Sequence, residues 1–84
     1  MPREFKYEVL DRFATLSSTE SATGNVYSKE LNLISYNDAD GVYDIRNWTT
    51  MTDDSRRMGK GITLNRDELK ALRDALNDLD DLNE

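Results

Sequence analysis

The stretch Val42 to Thr49, VYDIRNWT, constrains the fold more than any other part of the chain. Tyr43 and Ile45 alternate with Asp44, Arg46 and Trp48, and a period of two marks an extended strand with two chemically distinct faces. On such a strand Tyr43 and Ile45 suit a core, while Arg46 and Trp48 leave the opposite side together. A surface offering a guanidinium and an indole suits a flexible anion with stackable rings, such as single-stranded nucleic acid. A polar loop, Thr50 to Arg57, separates this strand from a shorter one, Lys60 to Leu64.

The segments before it read as two more strands. Phe5 to Leu16 is rich in aromatic and β-branched residues, but its alternation is imperfect. Tyr7, Val9 and Phe13 share one parity and Leu10 and Leu16 the other, so either a bulge switches faces or both faces meet protein. Ser17 to Asn25 is small and polar, a connecting loop. Val26 to Asn37 carries Tyr27, Lys29, Leu31 and Leu33 on one face and Ser28, Glu30, Asn32, Ile34 and Tyr36 on the other. Asp38 to Gly41 has the composition of a turn. Asp44 and Arg46, two apart on one face, are expected to form a local pair that orients the guanidinium. Lys60 shares parity with Ile62 and Leu64, so it either snorkels from the start of its strand or lies past a bulge near Gly59.

A helix closes the chain. Asn65 and Glu68 have the spacing of a capping box, and Leu69, Leu72, Leu76 and Leu79 recur at threes and fours to give one apolar face. Residues 80–84 form an acidic tail that frays. The pattern predicts an α+β fold, β-β-β-β-α, as a single domain over residues 1–84 that is ordered from about residue 5 to residue 79. A leucine seam in so small a domain favours a homodimer, with the same leucines serving the core and the partner.

Composition removes several functions. The 84 residues include neither cysteine nor histidine, which excludes disulfides, thiolate chemistry, cysteine-ligated metals and the usual general base at neutral pH. No carboxylate pair sits in the apolar setting that raises a pKa for acid catalysis, and Gly59-Lys60-Gly61 is too short for a phosphate-binding loop. No enzyme activity, metal, cofactor or small-molecule substrate is expected. No apolar run reaches the roughly 20 residues of a membrane span, so a cytoplasmic protein without membrane contact is the expectation. The net charge of −6 opposes nucleic-acid binding, but residues 65–84 alone hold seven acids against three bases. Affinity follows the phosphates locally neutralised rather than total charge.

The order Lys29-Glu30-Leu31-Asn32, Ser35-Tyr36-Asn37-Asp38, Tyr43-Asp44-Ile45-Arg46, Met58-Gly59-Lys60-Gly61-Ile62-Thr63-Leu64 and a capped helix resembles the positive cofactor four family of transcriptional coactivators, and still more its small bacterial YdbC-type branch. That resemblance implies a curved four-stranded antiparallel sheet followed by a helix, paired into a symmetric dimer. It also implies single-stranded DNA lying across the strands, held by basic side chains and stacked aromatics with little sequence preference. Arg46 matches the family's arginine after Asp-Ile, and Lys60 its lysine before Gly-Ile. Tyr36 falls one residue from an aromatic of the second strand, and Trp48 near the aromatic that follows Asp-Ile-Arg.

The candidate site is therefore Lys29, Arg46, Arg56, Arg57 and Lys60 for phosphates, with Trp48 and Tyr36 for bases. Leu69, Leu72, Leu76 and Leu79 form the core and dimer helix. The expected function is low-specificity binding of single-stranded DNA, or RNA, in transcription, replication or repair. The competing reading is a protein-interaction module that uses the acidic helix or a sheet edge.

Overall fold

A computed structural model of the protein describes residues 6–82. Phe5, where the first strand is expected to begin, and Asn83 and Glu84 of the acidic tail lie outside the described residues. Strands β1 (Tyr7–Glu20), β2 (Val26–Tyr36), β3 (Val42–Thr50) and β4 (Arg56–Leu64) form one antiparallel sheet in the order β1-β2-β3-β4, followed by helix α1 (Arg66–Asn77). This is the architecture the sequence predicts.

Several boundaries differ, each for a local reason. Ser17 to Glu20 continue β1, because they pair with Val26 to Lys29. The turn is confined to residues 21–25, closed by Ser21 N–H donating to Asn25 O at 2.8 Å, with Gly24 at a φ of +90°. Arg56 and Arg57 are the first residues of β4, paired with Thr50 and Thr49. The second turn places Asn37 and Asp38 at φ of +52° and +65°, a region that Asn and Asp tolerate better than most side chains. The capping box forms as expected: Glu68 N–H donates to Asn65 Oδ1 at 2.8 Å and Asn65 N–H to Glu68 Oε1 at 2.9 Å. The helix stops at Asn77 with Asp78 as its cap, so Leu79 lies beyond it. No base occupies the last turn, and the carboxylates of Asp78 and Asp81 come next, where the helix dipole disfavours them. A short 3₁₀ turn spans Asp80–Leu82.

β1 resolves its irregular parity by bulging three times. The register with β2 shifts between Val9 and Asp11, Arg12 and Ala14, and Thr15 and Ser17. The residues inside those shifts are Leu10, Phe13 and Leu16, three apart. A bulge brings two consecutive side chains toward one side of a sheet, so a period of three in apolar residues matches a period of three in bulges. Leu10 lies against Leu33 and Gly41, and the Phe13 ring is 6.0 Å from that of Tyr43, all on the face that bears the helix.

The sheet is strongly coiled. Tyr7 pairs with Tyr36, whereas Trp48 pairs with Ser28, eight residues along β2 and roughly 26 Å away on a flat strand. Yet the Tyr7 and Trp48 rings lie 5.7 Å apart, and the Tyr36 hydroxyl approaches Met58 Sδ at 4.0 Å. The face bearing these residues is therefore concave, and curvature seals it. Ile34, Asn32, Asp44 and Trp48 are its most deeply buried side chains. The expected sides are reversed: the strand face carrying Asp44, Arg46 and Trp48 is interior, and Tyr43 and Ile45 are half-buried on the helix side.

Gly61 is the position where this coiling tolerates no side chain. A Cβ there would collide with Cβ of Arg46 and stand 2.5 Å from Ile45 O. Gly61→Ala should lower stability by at least about 1–3 kcal/mol, the usual cost of overpacking, measured by urea unfolding.

Candidate nucleic-acid interface

The concave face is a polar interior held by two hydrogen-bonded clusters, with Asn32 Oδ1, Trp48 Nε1 and Arg56 Nε buried without a hydrogen-bond partner. Asp44 is fully buried and takes a fork from Arg46: Nε at 2.9 Å to Oδ1 and Nη2 at 2.8 Å to Oδ2. Arg46 Nη1 then donates to Gly59 O at 2.9 Å, and the Tyr36 hydroxyl donates to Asp44 Oδ2 at 2.6 Å. The expected Asp44–Arg46 pair is thus present, as the centre of a network rather than a surface device. The hydrogen bonds that Arg46 donates to Asp44's carboxylate hold the Arg46 pKa above its ordinary value, against the opposing effect of burial. Burial, together with the hydrogen bond to Asp44, pushes the Tyr36 phenol up to about 12.

A second cluster lies on the same face. Glu30 accepts from Ser28 Oγ at 2.7 Å and Asn32 Nδ2 at 3.3 Å, and pairs with Arg56 Nη2. Burial alone would raise the Glu30 pKa, but the hydrogen bonds from Arg56, Ser28 and Asn32 outweigh it and hold the carboxyl below its ordinary value. The Arg56 guanidinium in turn lies 4.6 Å from the centroid of Trp48.

These contacts correct the expectation for Trp48. The indole is 2 % exposed, with Arg56 and Tyr7 against it, so no ring face is open for a base. Coiling of the sheet, which no local pattern reports, turned its face inward. Tyr36 is half-buried with its hydroxyl committed to Asp44. The Arg46 and Arg56 side chains are 14 % and 18 % exposed and already paired with carboxylates. The structure therefore brings Tyr36, Arg46, Trp48 and Arg56 together, as scaffold.

The other three site residues lie on the opposite, helix-bearing face. Lys29 stands across from Asn47, which faces the Gly59–Lys60 bulge in β4, and Arg57 stands across from Thr49. The register shift there corresponds to the bulged alternative for Lys60. Lys29, Arg57 and Lys60 are exposed, and none is among the ion pairs of the described residues. Sequence reasoning missed Tyr27, which pairs with Thr49 and is 48 % exposed on this face. Its signal was present: Tyr27 and Lys29 repeat the aromatic and cation spacing of Arg46 and Trp48. Leu31 and Leu33 on the same parity made that face read as core.

The helix covers the far end of this face incompletely. Among its described residues none is buried, and Leu72 and Leu76 are 36 % and 43 % exposed. A groove of about 520 Å³ opens between helix and sheet, walled by Leu31, Tyr43, Leu69, Leu72 and Leu76. Leu79, expected on the helix face, lies past its end and is half-exposed.

Residues 27–75, from Tyr27 at the tip of β2 into the helix, match the family described as Transcriptional Coactivator p15 (PC4). The chain belongs to that family. A protein of Treponema pallidum (strain Nichols) described as uncharacterized is 46 % identical over 76 residues, which are 90 % of this chain and 81 % of that one. The PC4 family is known for binding single-stranded DNA and for coactivation, and it is a non-catalytic family. No metal-binding group of three or more acids is found among the described residues, and none of their helices is long and apolar enough to cross a membrane.

The raised Tyr36 pKa carries a sign. The folded state holds the phenol proton more tightly than the unfolded chain, whose ordinary value is 10.0, so the stabilisation is complete below about pH 10 and is lost as pH rises through about 12. Wild-type stability should fall across that window, read by circular dichroism during an alkaline titration. In Tyr36→Phe the decline should be shallower, from a lower starting stability.

Proposed function

We propose that the chain binds single-stranded DNA with little sequence preference, through the end of the helix-bearing face farthest from the helix. The observation that carries this reading is the set Lys29, Arg57 and Lys60: exposed cations, outside the ion pairs of the described residues, brought by β2 and β4 on either side of β3 to one end of one face. The paired positions Asn47 and Thr49 between them are neutral. Phosphates lying across these strands meet point charges rather than base edges, which gives affinity without sequence readout. Arg46 and Arg56 support the site from beneath. In particular, Arg46 ties down Gly59 O, and so the bulge from which Lys60 projects. Family membership supports the same reading, and the role served in the cell falls within transcription, replication or repair.

Oligo-dT should bind more tightly than duplex DNA of equal length, and its affinity should fall log-linearly with salt by about 0.7 per phosphate neutralised. Lys29→Ala or Lys60→Ala should shrink that slope by about one contact and leave stability nearly unchanged. Arg46→Ala should instead cost about 3–5 kcal/mol of stability, because it strands a buried carboxylate. A salt-independent affinity would sink this mechanism.

The same reading includes a homodimer. Only Ile34 and Trp48 are buried apolar side chains among the described residues, whereas Leu10, Phe13, Leu16, Ile62, Leu72 and Leu76 stand between one-third and three-fifths exposed. A second copy seated on the helix groove and the β1 ridge would remove this apolar area from water, at about 25 cal/mol per Å². Sedimentation equilibrium at micromolar concentration should give a dimer, and Leu76→Asp should shift it to monomer or unfolded chain. A monomeric wild type would overturn the pairing.

A further inference from the structure

β4 opens with two successive arginines that part company. Arg56 turns to the concave side, where it pairs with Glu30 and lies over Trp48. Arg57 stands exposed on the helix-bearing face, across from Thr49. Lys60 stands on that face too, although it is three residues farther on, and a regular strand sends residues three apart to opposite sides. One extra residue accounts for this. Arg46 pairs with Gly61 and Trp48 with Met58, so Asn47 alone faces both Gly59 and Lys60. A bulge takes backbone groups out of the ladder. Here Arg46 Nη1 donates to the Gly59 carbonyl at 2.9 Å, and a Cβ on Gly59 would stand 2.9 Å from Asn47 O, so the bulge lies tight against β3.

The tandem arginines leave a second register open. With the Arg46–Gly61 pair kept and the bulge closed, Trp48 would face Gly59 and Thr49 would face Met58. A slip of one residue exchanges the two faces, so Arg57 would point inward to Glu30 and Trp48, and Arg56 outward. Pairing with Glu30 therefore does not decide which arginine is outside; the bulge does. We propose that Arg46 is the positioning residue that makes this choice: by holding the Gly59 carbonyl it fixes the bulged register and keeps Arg57 beside Lys60 on the outer face. The inference rests on the reading of that face as the DNA surface, and it gives Arg46 a part in binding without contact to phosphate. Only a guanidinium suits the position. Its Nε and Nη2 engage Asp44 while Nη1 is left for Gly59, whereas a lysine ammonium paired with Asp44 has no second arm. In the closed register the Met58 thioether would replace a cation in the row of Tyr27 and Thr49.

The test measures the salt slope of oligo-dT binding for Arg57→Ala and Lys60→Ala, each made in wild type and in Arg46→Lys, which keeps the net charge. In wild type each alanine should shrink the slope by about 0.7, one phosphate contact on a single strand. In Arg46→Lys the Lys60→Ala change should still do so, because Lys60 faces outward in both registers, while Arg57→Ala should do nothing. Cross-strand nuclear Overhauser contacts of Thr49 should move from Arg57 to Met58 in the same variant. Deleting Gly59 removes the extra residue and leaves Arg57 and Lys60 on one face of a regular strand. In that chain Arg57 should keep its share of the slope, and Arg46→Lys should no longer alter it. An Arg57→Ala effect that is equal with arginine or lysine at position 46, a Thr49–Arg57 contact that stays in place, or loss of the Arg57 share on deleting Gly59 would overturn the inference while leaving DNA binding by the face intact. Failure of wild type to bind oligo-dT would instead overturn the DNA-binding reading and the inference with it.

Discussion

The fork between Asp44 and Arg46 is the contact on which the sheet depends. A carboxylate with no solvent exposure is costly unless its lone pairs are filled, and here two guanidinium nitrogens and a phenol fill them. The third guanidinium nitrogen reaches over Gly61 to the Gly59 carbonyl, so one side chain joins the interior of β3 to the irregular turn of β4. Each part requires the others. Gly61 must lack a Cβ for Arg46 to pass, and Tyr36 must lean back along the coil for its hydroxyl to reach Asp44.

Charge placement would let an acidic chain take the anionic ligand proposed for it. Glu30 and Asp44 are on the concave side, each neutralised by its own arginine. The acid excess of residues 65–84 belongs to the helix and the segment beyond it. Leu31, which walls the helix groove, is four residues along β2 from Tyr27, roughly 13 Å. That separation exceeds the screening length of about 8 Å at physiological salt, so a phosphate chain at the end proposed for it would meet Lys29, Arg57 and Lys60 more than the acids of the helix.

Much of the topology was legible because it is written locally. The capping box of Asn65 and Glu68, the turn expected over Asp38 to Gly41 (which in the structure begins one residue earlier, at Asn37), and the alternation of β2 and β3 each fix backbone geometry within a few residues. Which face would be interior was not legible. Parity sorted Asp44, Arg46 and Trp48 from Tyr43 and Ile45 correctly, but burial depends on the direction in which the sheet coils, and that comes from contacts between residues such as Tyr7 and Trp48, forty-one positions apart. The candidate site divided for the same reason. Arg46 and Trp48 carried the most conspicuous chemistry and went inside, while Lys29, Arg57 and Lys60, plainer in sequence, remained outside. The spacing of Leu10, Phe13 and Leu16 held its information in a less familiar period, since a run of threes in a strand has meaning only once every third residue bulges.

β1 is also an outer strand of its sheet, pairing only with β2 among the described residues. A 14-residue outer strand rich in apolar side chains would ordinarily be a template for another chain's backbone. Three bulges in that length interrupt the regular ladder of amides and carbonyls on its open side at every third position, so an incoming straight strand finds no continuous register to copy. The irregularity that lines up Leu10, Phe13 and Leu16 thereby guards a small, aggregation-exposed domain against fibre-like growth, and it does so in the backbone, independently of charge or salt.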